Sequence, residues 1–514
     1  MNFPWLTVSL LLPLAGSVAV MVVPKPQARL AKRVALGFAV ATALVVAFVA
    51  IAYKAGHGGD GRFRYVENHN WISAFGAHYS LGVDGIGLVL VVLAALLTPV
   101  VIVASWNDAR YGRWSERSFF AWILALEALS IGVFAATDVF LFYVLFEATL
   151  IPMYFLIGGF GGAQRSYAAV KFLLYSLLGG LLMLASVVGL YVVSAKAGTP
   201  SYLLEDLEKL QLGTDTERWL MLGFLFAFAV KAPMVPFHTW LPDAAAEATP
   251  GTSVLLVGVL DKIGTFGMLR YCLGLFPNAS EWATPVVLAL ALVSVLYGAL
   301  LAIGQTDIKR LIAYTSISHF GFIVMGIYAL TSQGMTGSTL YMFNHGLSTA
   351  ALFLIAGYLI SRHGSTRIAD YGGVEKVAPV LAGTFLFAGL SSLSLPGLSP
   401  FISEFMVLAG TFSKHRVIAV IGVLGIVLAA LYILIMYQRL MTGPVAEGNE
   451  RVLRMGDLRF REVLAIAPLM ALIVGLGFYP KPVVDVIRPA VEKTMTQVGV
   501  TDPKPEIPVT EGAK

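Results

Sequence analysis

The fold turns on one stretch, residues 226–264: FAFAVKAPMVPFHTWLPDAAAEATPGTSVLLVGVLDKIG. It begins as an apolar helix, reaches Lys231, and meets Pro233 and Pro236. It resumes through His238 and Trp240 and breaks again at Pro250, and the next apolar run carries Asp261 and Lys262 in its middle. A charged lysine at membrane depth costs roughly 2.5–3.5 kcal/mol on insertion scales. Prolines beside it end the helix and free backbone carbonyls. A helix broken next to an ionisable residue is how membrane proteins build ion sites. A proline kink with a snorkelling lysine is the plainer reading of Lys231. It fits Lys262 poorly, because about ten apolar residues flank that lysine on each side.

The rest of the chain supports a membrane reading. Of 514 residues, 58% are hydrophobic and 13% charged, and the mean hydropathy is +0.80. Soluble domains carry about one quarter charged residues, so the composition is that of a polytopic membrane protein. The single cysteine, Cys272, excludes an intrachain disulfide or a thiolate metal cluster. Residues 4–23 form a full apolar span with no basic leader and no small-residue cleavage site, so no cleavable signal peptide is expected.

Apolar runs of about twenty residues predict an all-α protein of about fourteen transmembrane helices. They fall near 3–23, 33–53, 81–105, 118–136, 138–159, 167–195, 217–247, 252–274, 284–304, 309–331, 339–360, 379–413, 417–438 and 462–479. The seventh and twelfth are broken. Residues 54–80 and 196–216 read as polar connections, and the tail after Pro480 as a short extramembrane arm. Loops after odd-numbered helices hold 18 Lys and Arg, and those after even-numbered helices hold 8. The richer side belongs in the cytoplasm, which places both termini across the membrane from it.

A faint repeat accompanies the breaks. Pro233-Met-Val-Pro236-Phe237 in the seventh helix is echoed by Pro396-Gly-Leu-Ser-Pro400-Phe401 in the twelfth. Tyr167 with Lys171, and Tyr341 with His345, stand in the helices before each break. Five helices, an odd number, separate the two, so the repeats have opposite topology. The expected organisation is 1–117 (helices one to three), 118–274 (first five-helix repeat), 284–438 (second, inverted repeat) and 439–514 (helix fourteen and tail).

Six ionisable residues lie on six such helices: Glu147, Lys231, Lys262, His319, His345 and Glu404. Groups that gain and lose protons as their neighbours change are what a relay across a membrane interior requires. Glu147 and Lys231 read as an ion pair that tunes the proton affinity of the lysine. A static pair tying two helices remains the alternative, and a single buried histidine is more often a hydrogen-bonded core residue. Asp261 neighbours Lys262, but adjacent helical residues do not share a face. Secondary candidates are Glu127, Lys171, His238, Asp243 and Glu247. Asp84 opens the third helix, Thr137-Asp138 reads as a helix cap, and Arg270 as a snorkelling residue. The sequence has no GxxxxGK[ST], HExxH or CxxC motif and no close metal-ligand histidine spacing, so neither a resident cofactor nor a metal is expected on the chain.

The segments LFYVLFEATLIPMYFLIG, residues 226–270 and LYMFNHGLSTAALFLIAGYL resemble the antiporter-like subunits of respiratory NADH:quinone oxidoreductase, complex I, over nearly all the helices. The FEATLIPMY context, the early end after helix fourteen, and Glu404 where relatives usually carry lysine make chain M (chain 4) the member it looks most like. The resemblance implies a proton channel of two inverted five-helix repeats. Glu147 and Lys231 match its ion pair, Lys262 its central lysine, His319 and His345 its connecting relay, and Glu404 its terminal carboxylate. It further implies partner subunits carrying FMN and iron–sulfur clusters that pass electrons from NADH to a quinone. Neighbouring L- and N-type chains and lipids are the expected contacts in a bacterial plasma membrane, with both termini periplasmic and no nucleic-acid partner. A cation/proton antiporter or membrane hydrogenase subunit is the nearest alternative, and a non-conducting scaffold chain the alternative of another class.

Overall fold

The computed structural model describes residues 3–59, 61–198, 200–445 and 450–504. Apolar helices dominate. In chain order they are α1 (Trp5–Val22), α2 (Ala28–Lys54), α3 (Gly85–Ala104), α4 (Glu116–Ala135), α5 (Val139–Phe160) and α6 (Arg165–Lys196). There follow α7a (Thr214–Lys231), α7b (Trp240–Glu247), α8 (Pro250–Leu275), α9 (Pro277–Ile303), α10 (Ile308–Tyr328) and α11 (Ser332–His363). The chain continues through α12a (Pro379–Ser392), α12b (Ser399–Lys414), α13 (Arg416–Met441), α14 (Phe460–Phe478) and α15 (Lys481–Val498). Among the described residues, twelve helices are long and apolar enough to cross a membrane. Beyond these twelve, the two interrupted helices, α7 and α12, break where the prolines lie, and each is fourth in its run of five, α4–α8 and α9–α13.

The layout follows the surface each helix can expose. Helices α2, α6 and α13 turn long rows of Leu and Val outward, whereas α8, α10 and α11 are almost wholly enclosed. Enclosure is what permits ionisable residues, since a charge facing lipid has nothing to solvate it. Lys262, His319 and His345 lie on those three enclosed helices. Several caps are local: Asp84 accepts the Gly87 amide at the start of α3 and Asp138 that of Leu141 at the start of α5, each at 2.9 Å.

Three features differ from expectation. Residues 64–83, read as a polar connection running into helix three, form an antiparallel hairpin, β1 (Arg64–Ile72) and β2 (Ala77–Val83), turning at Gly76 with φ 63°. The arm after Pro480 is ordered over Lys481–Val498 and packed onto the bundle. It is the amphipathic helix α15, which buries Val484, Ile487, Val491 and Met495 and docks so closely that a Cβ on Gly85 would meet the Val486 carbonyl oxygen at 1.8 Å. Arg270 does not snorkel. It is buried, its Nη2 donating to Asp84 Oδ1 at 2.6 Å, with Phe63 and Phe266 stacked on the guanidinium at 4.8 and 5.1 Å. A partner in the enclosed interior relieves a cation that lipid could not.

Candidate functional site

The break in α7 is built from its prolines. Pro233 and Pro236 offer no N–H, so the carbonyls before them need other donors. Trp240 Nε1 donates to the Val230 carbonyl at 3.0 Å, and the Val235 amide donates to Ser294 Oγ at 3.0 Å, tying the break to α9. Lys231 ends α7a, where the helix dipole favours a cation. Its Nζ is buried with no hydrogen-bond partner and sits 5.0 and 5.6 Å from the ring centroids of Phe146 and Phe172. The expected direct ion pair with Glu147 is not formed. The Glu147 carboxylate instead fills the notch left by Gly180 on α6, where a Cβ would lie 1.7 Å from Oε1, and that oxygen has no hydrogen-bond partner. The two groups remain in electrostatic contact.

Helix α8 carries the centre. Residues Leu256–Leu260 and Met268–Cys272 are π-turns, and the Asp261 amide bonds the Leu256 carbonyl at 3.0 Å. Such wide turns loosen the carbonyl ladder. Lys262 uses this: its Nζ donates to Val257 O at 2.7 Å and lies 2.7 Å from His345 Nδ1 on α11. The Phe320 ring covers the amine at 4.9 Å. His345 and His319 stand edge to face, 5.2 Å between centroids. His319 Nε2 is 3.5 Å from the Tyr432 hydroxyl, and Tyr341 lies 6.0 Å from the His319 ring and 6.3 Å from that of His345. The Tyr341 hydroxyl donates to Glu404 Oε2 at 3.4 Å. Glu404 sits one turn into α12b, past the second break, with Pro396 in the break and Pro400 in the first turn of the resumed helix. Asn344 Nδ2 donates to Ser399 O at 2.8 Å and so pins the start of α12b to α11. Lys262, His345, His319 and Glu404 are therefore brought together across α8, α11, α10 and α12b, with Tyr341 and Tyr432 between them.

The secondary residues divide. Lys171 and Asp243 meet at 2.6 Å, and Arg310 joins the same carboxylate at 2.7 Å. Tyr175 and Thr239 hydroxyls bond at 2.8 Å beside them, and His238 lies against Tyr297 and Tyr314. Glu247 accepts the Gln164 amide at 2.9 Å, and buried Lys309 donates to the Ala248 carbonyl at 2.9 Å. These polar groups run along α7b, from His238 and Thr239 at the break, through Asp243 in its first turn, to Glu247 at its far end. Glu127 is buried on α4 with neither carboxyl oxygen bonded and is not joined to the other candidates. Sequence reasoning missed Arg310 and Tyr432. In the sequence Arg310 reads as a loop charge, and Tyr432 sits in a largely apolar helix.

Comparison with known proteins places this geometry. Residues 136–429 match the family model described as NADH:quinone oxidoreductase/Mrp antiporter, transmembrane. The chain belongs to that family. Within it, the chain is 54% identical to NADH-quinone oxidoreductase subunit M of Mycobacterium tuberculosis, over 98% of this chain and 96% of that one. It is 39% identical to subunit M of Rhodobacter capsulatus, over 95% of each. A chain of respiratory complex I from Thermus thermophilus superposes with a TM-score of 0.84 at 29% identity, over 96% of this chain and all of that one. The Mrp complex of Dietzia shares the fold, with a TM-score of 0.82 at 20% identity over 97% of this chain and all of that one. This antiporter-like chain is a multi-pass subunit of a hetero-oligomeric membrane complex, the proton-translocating NADH:quinone oxidoreductase.

Proposed function

We propose that the antiporter-like chain carries protons through the sequence Glu147, Lys231, Lys262, His345, His319 and Glu404. The observation that carries this reading is the 2.7 Å contact of Lys262 Nζ with His345 Nδ1, made in an interior closed to lipid. An amine touching an imidazole can pass a proton with no movement of either backbone. Tyr341 and Tyr432 hydroxyls extend the path from the histidines to Glu404. Lys231, held by aromatic faces and not by a carboxylate, is free to respond when Glu147 moves toward or away from it.

The driving chemistry belongs to partner subunits with FMN and iron–sulfur clusters, which take electrons from NADH to a quinone. L- and N-type chains flank this one, and α4–α8 and α9–α13 act as inverted repeats that open to opposite faces. Both termini lie in the periplasm of a bacterial plasma membrane, consistent with the 18 to 8 loop count. A carboxy-terminal reporter active only in the cytoplasm would contradict that orientation. The relay itself is tested by Lys262→Arg. Arginine keeps the charge but does not deprotonate, so NADH-driven pumping in membrane vesicles is expected to collapse nearly as far as in Lys262→Ala. An arginine variant that pumps normally would reduce Lys262 to a fixed charge.

A further inference from the structure

We infer that Asp261 carries protons between Lys231 and Lys262, an inference that rests on the relay reading above. Asp261 is completely buried, and neither carboxylate oxygen has a hydrogen-bond partner. On α8 it lies about 100° round the helix from Lys262, so the two do not share a face. A Cβ on Gly264, three residues on and thus on the face of Asp261, would meet the Ala232 nitrogen and the Phe228 oxygen at 2.6 Å; one on Gly267 would meet the Phe228 ring at 2.4 Å. That face therefore lies against the end of α7a, where Lys231 stands. Lys262 faces α11 and His345. The charges that act on Asp261 are those of Lys262, its neighbour on α8, and Lys231 at the end of α7a.

A structural role accounts poorly for this residue. A buried carboxylate adds stability only when hydrogen-bonded or closely paired, and unbonded buried groups are uncommon outside functional sites. The π-turn ending at Leu260 precedes it directly, a distortion that recurs at such sites. The transfer balances. Lys231 and Asp261 are not hydrogen-bonded, so a side-chain movement or a bridging water must first join them; a proton then leaves the Lys231 ammonium for the Asp261 carboxylate, giving an amine and a carboxylic acid, so two buried charges vanish together. The acid then gives its proton to the neutral amine of Lys262, restoring the carboxylate and forming an ammonium. One positive charge has moved from α7a to α8, and no step leaves a buried charge of either sign alone. Without Asp261 the amines must exchange across the body of α8.

The test compares Asp261→Asn, Asp261→Glu and Lys262→Arg in the whole membrane complex, normalising pumping and NADH:quinone turnover to assembled complex. Asparagine fills the space but does not ionise, and is expected to slow coupled pumping about tenfold or more. Glutamate keeps the ionisable group and is expected to retain most of it. Normal pumping by the asparagine variant overturns the inference. So does equal damage by asparagine and glutamate, which would show that shape is what matters, and so does loss of assembly in the asparagine variant, which would make the carboxylate structural. If Lys262→Arg is impaired while Asp261→Asn is not, the relay stands without Asp261. If Lys262→Arg pumps normally, the relay reading itself fails.

Discussion

Gly264→Ala probes the α7a–α8 contact on which the two halves of the proposed relay depend. The added methyl would lie 2.6 Å from the Ala232 nitrogen and the Phe228 oxygen and 2.8 Å from the Ala232 Cβ. Carbon atoms rest about 3.5–4.0 Å from their neighbours, so α7a and α8 must part by about 0.9 Å. The obstacles are mostly backbone, which no rotamer change removes. Helix α8 cannot retreat freely, because Lys262 is bonded to α11 behind it. Overpacking of this kind costs about 1–3 kcal/mol. The functional loss should be larger than that suggests, since a displacement near 1 Å can slow a positioned transfer by up to about 10²-fold. The assay is acidification of inverted membrane vesicles on addition of NADH, normalised to assembled complex. Gly475→Ala is the control: its Cβ would meet nothing within 4 Å, and it should be neutral or slightly stabilising. An assembled Gly264→Ala complex that pumps like the wild type would refute the close α7a–α8 contact as a condition of transfer.

Further outcomes are specific. Glu147→Gln should remove most coupled pumping while assembly survives, and Gly180→Ala should mimic it, because the new methyl displaces Oε1 from its notch; wild-type pumping by both in vesicles would detach Glu147 from the relay. Arg270→Met leaves Asp84 buried without its cation and should cost about 3–5 kcal/mol, whereas the double variant Arg270→Met with Asp84→Leu should recover much of it; thermal melting of the isolated complex reads both. Asp108, in the turn after α3, has its carboxyl pushed up to about 6 by burial, with Arg461, Lys309 and Lys32 pulling the other way. The folded state therefore holds its proton more tightly than the unfolded chain. The stability this contributes is full below about pH 4 and is lost as pH rises through about 6. Asp108→Asn should accordingly raise the melting temperature above pH 6 and leave it unchanged below pH 4, and the reverse order would show the carboxyl to be held ionised.

Much of this was legible because membrane insertion is decided locally. A twenty-residue apolar run needs no tertiary information, and prolines mark the breaks in α7 and α12 wherever the helices go. The residues of the proposed relay stand out in the sequence because a lysine or histidine in such a run is costly to bury and rare outside ion and proton pathways. Their pairing was less legible. Charge and the family resemblance both pair Lys231 with Glu147, but the rings of Phe146 and Phe172 hold the lysine, and only the notch at Gly180 shows where the carboxylate goes. Arg270 and Asp84 are 186 residues apart, and nothing local joins them. The hairpin was hidden by register shifts at both ends of β1, which blur the two-residue alternation. In α15, Pro482 and Pro489 disguised an amphipathic period that is clear once the buried face is seen.

The π-turns of α8 let one lysine serve both structure and the proposed transport. A wide turn at full burial leaves carbonyls without their usual donors, and an enclosed helix has no lipid-side remedy. Lys262 supplies a donor to Val257 O, five residues back, a reach that a lysine pointing at lipid would not need. As an ammonium it has three donors, so it satisfies Val257 and can donate to His345 Nδ1. As a neutral amine it keeps two donors and gains a lone pair. The bond to Val257 persists, while the bond to His345 reverses, with Nδ1–H donating to the amine. Passage of a proton thus changes the direction of one hydrogen bond and the tautomer of one imidazole, and neither heavy atom must leave its place. An arginine has no lone pair to accept with. It could replace the donor to Val257, yet it could not take part in the reversal, so a Lys262→Arg complex should assemble and still fail to pump.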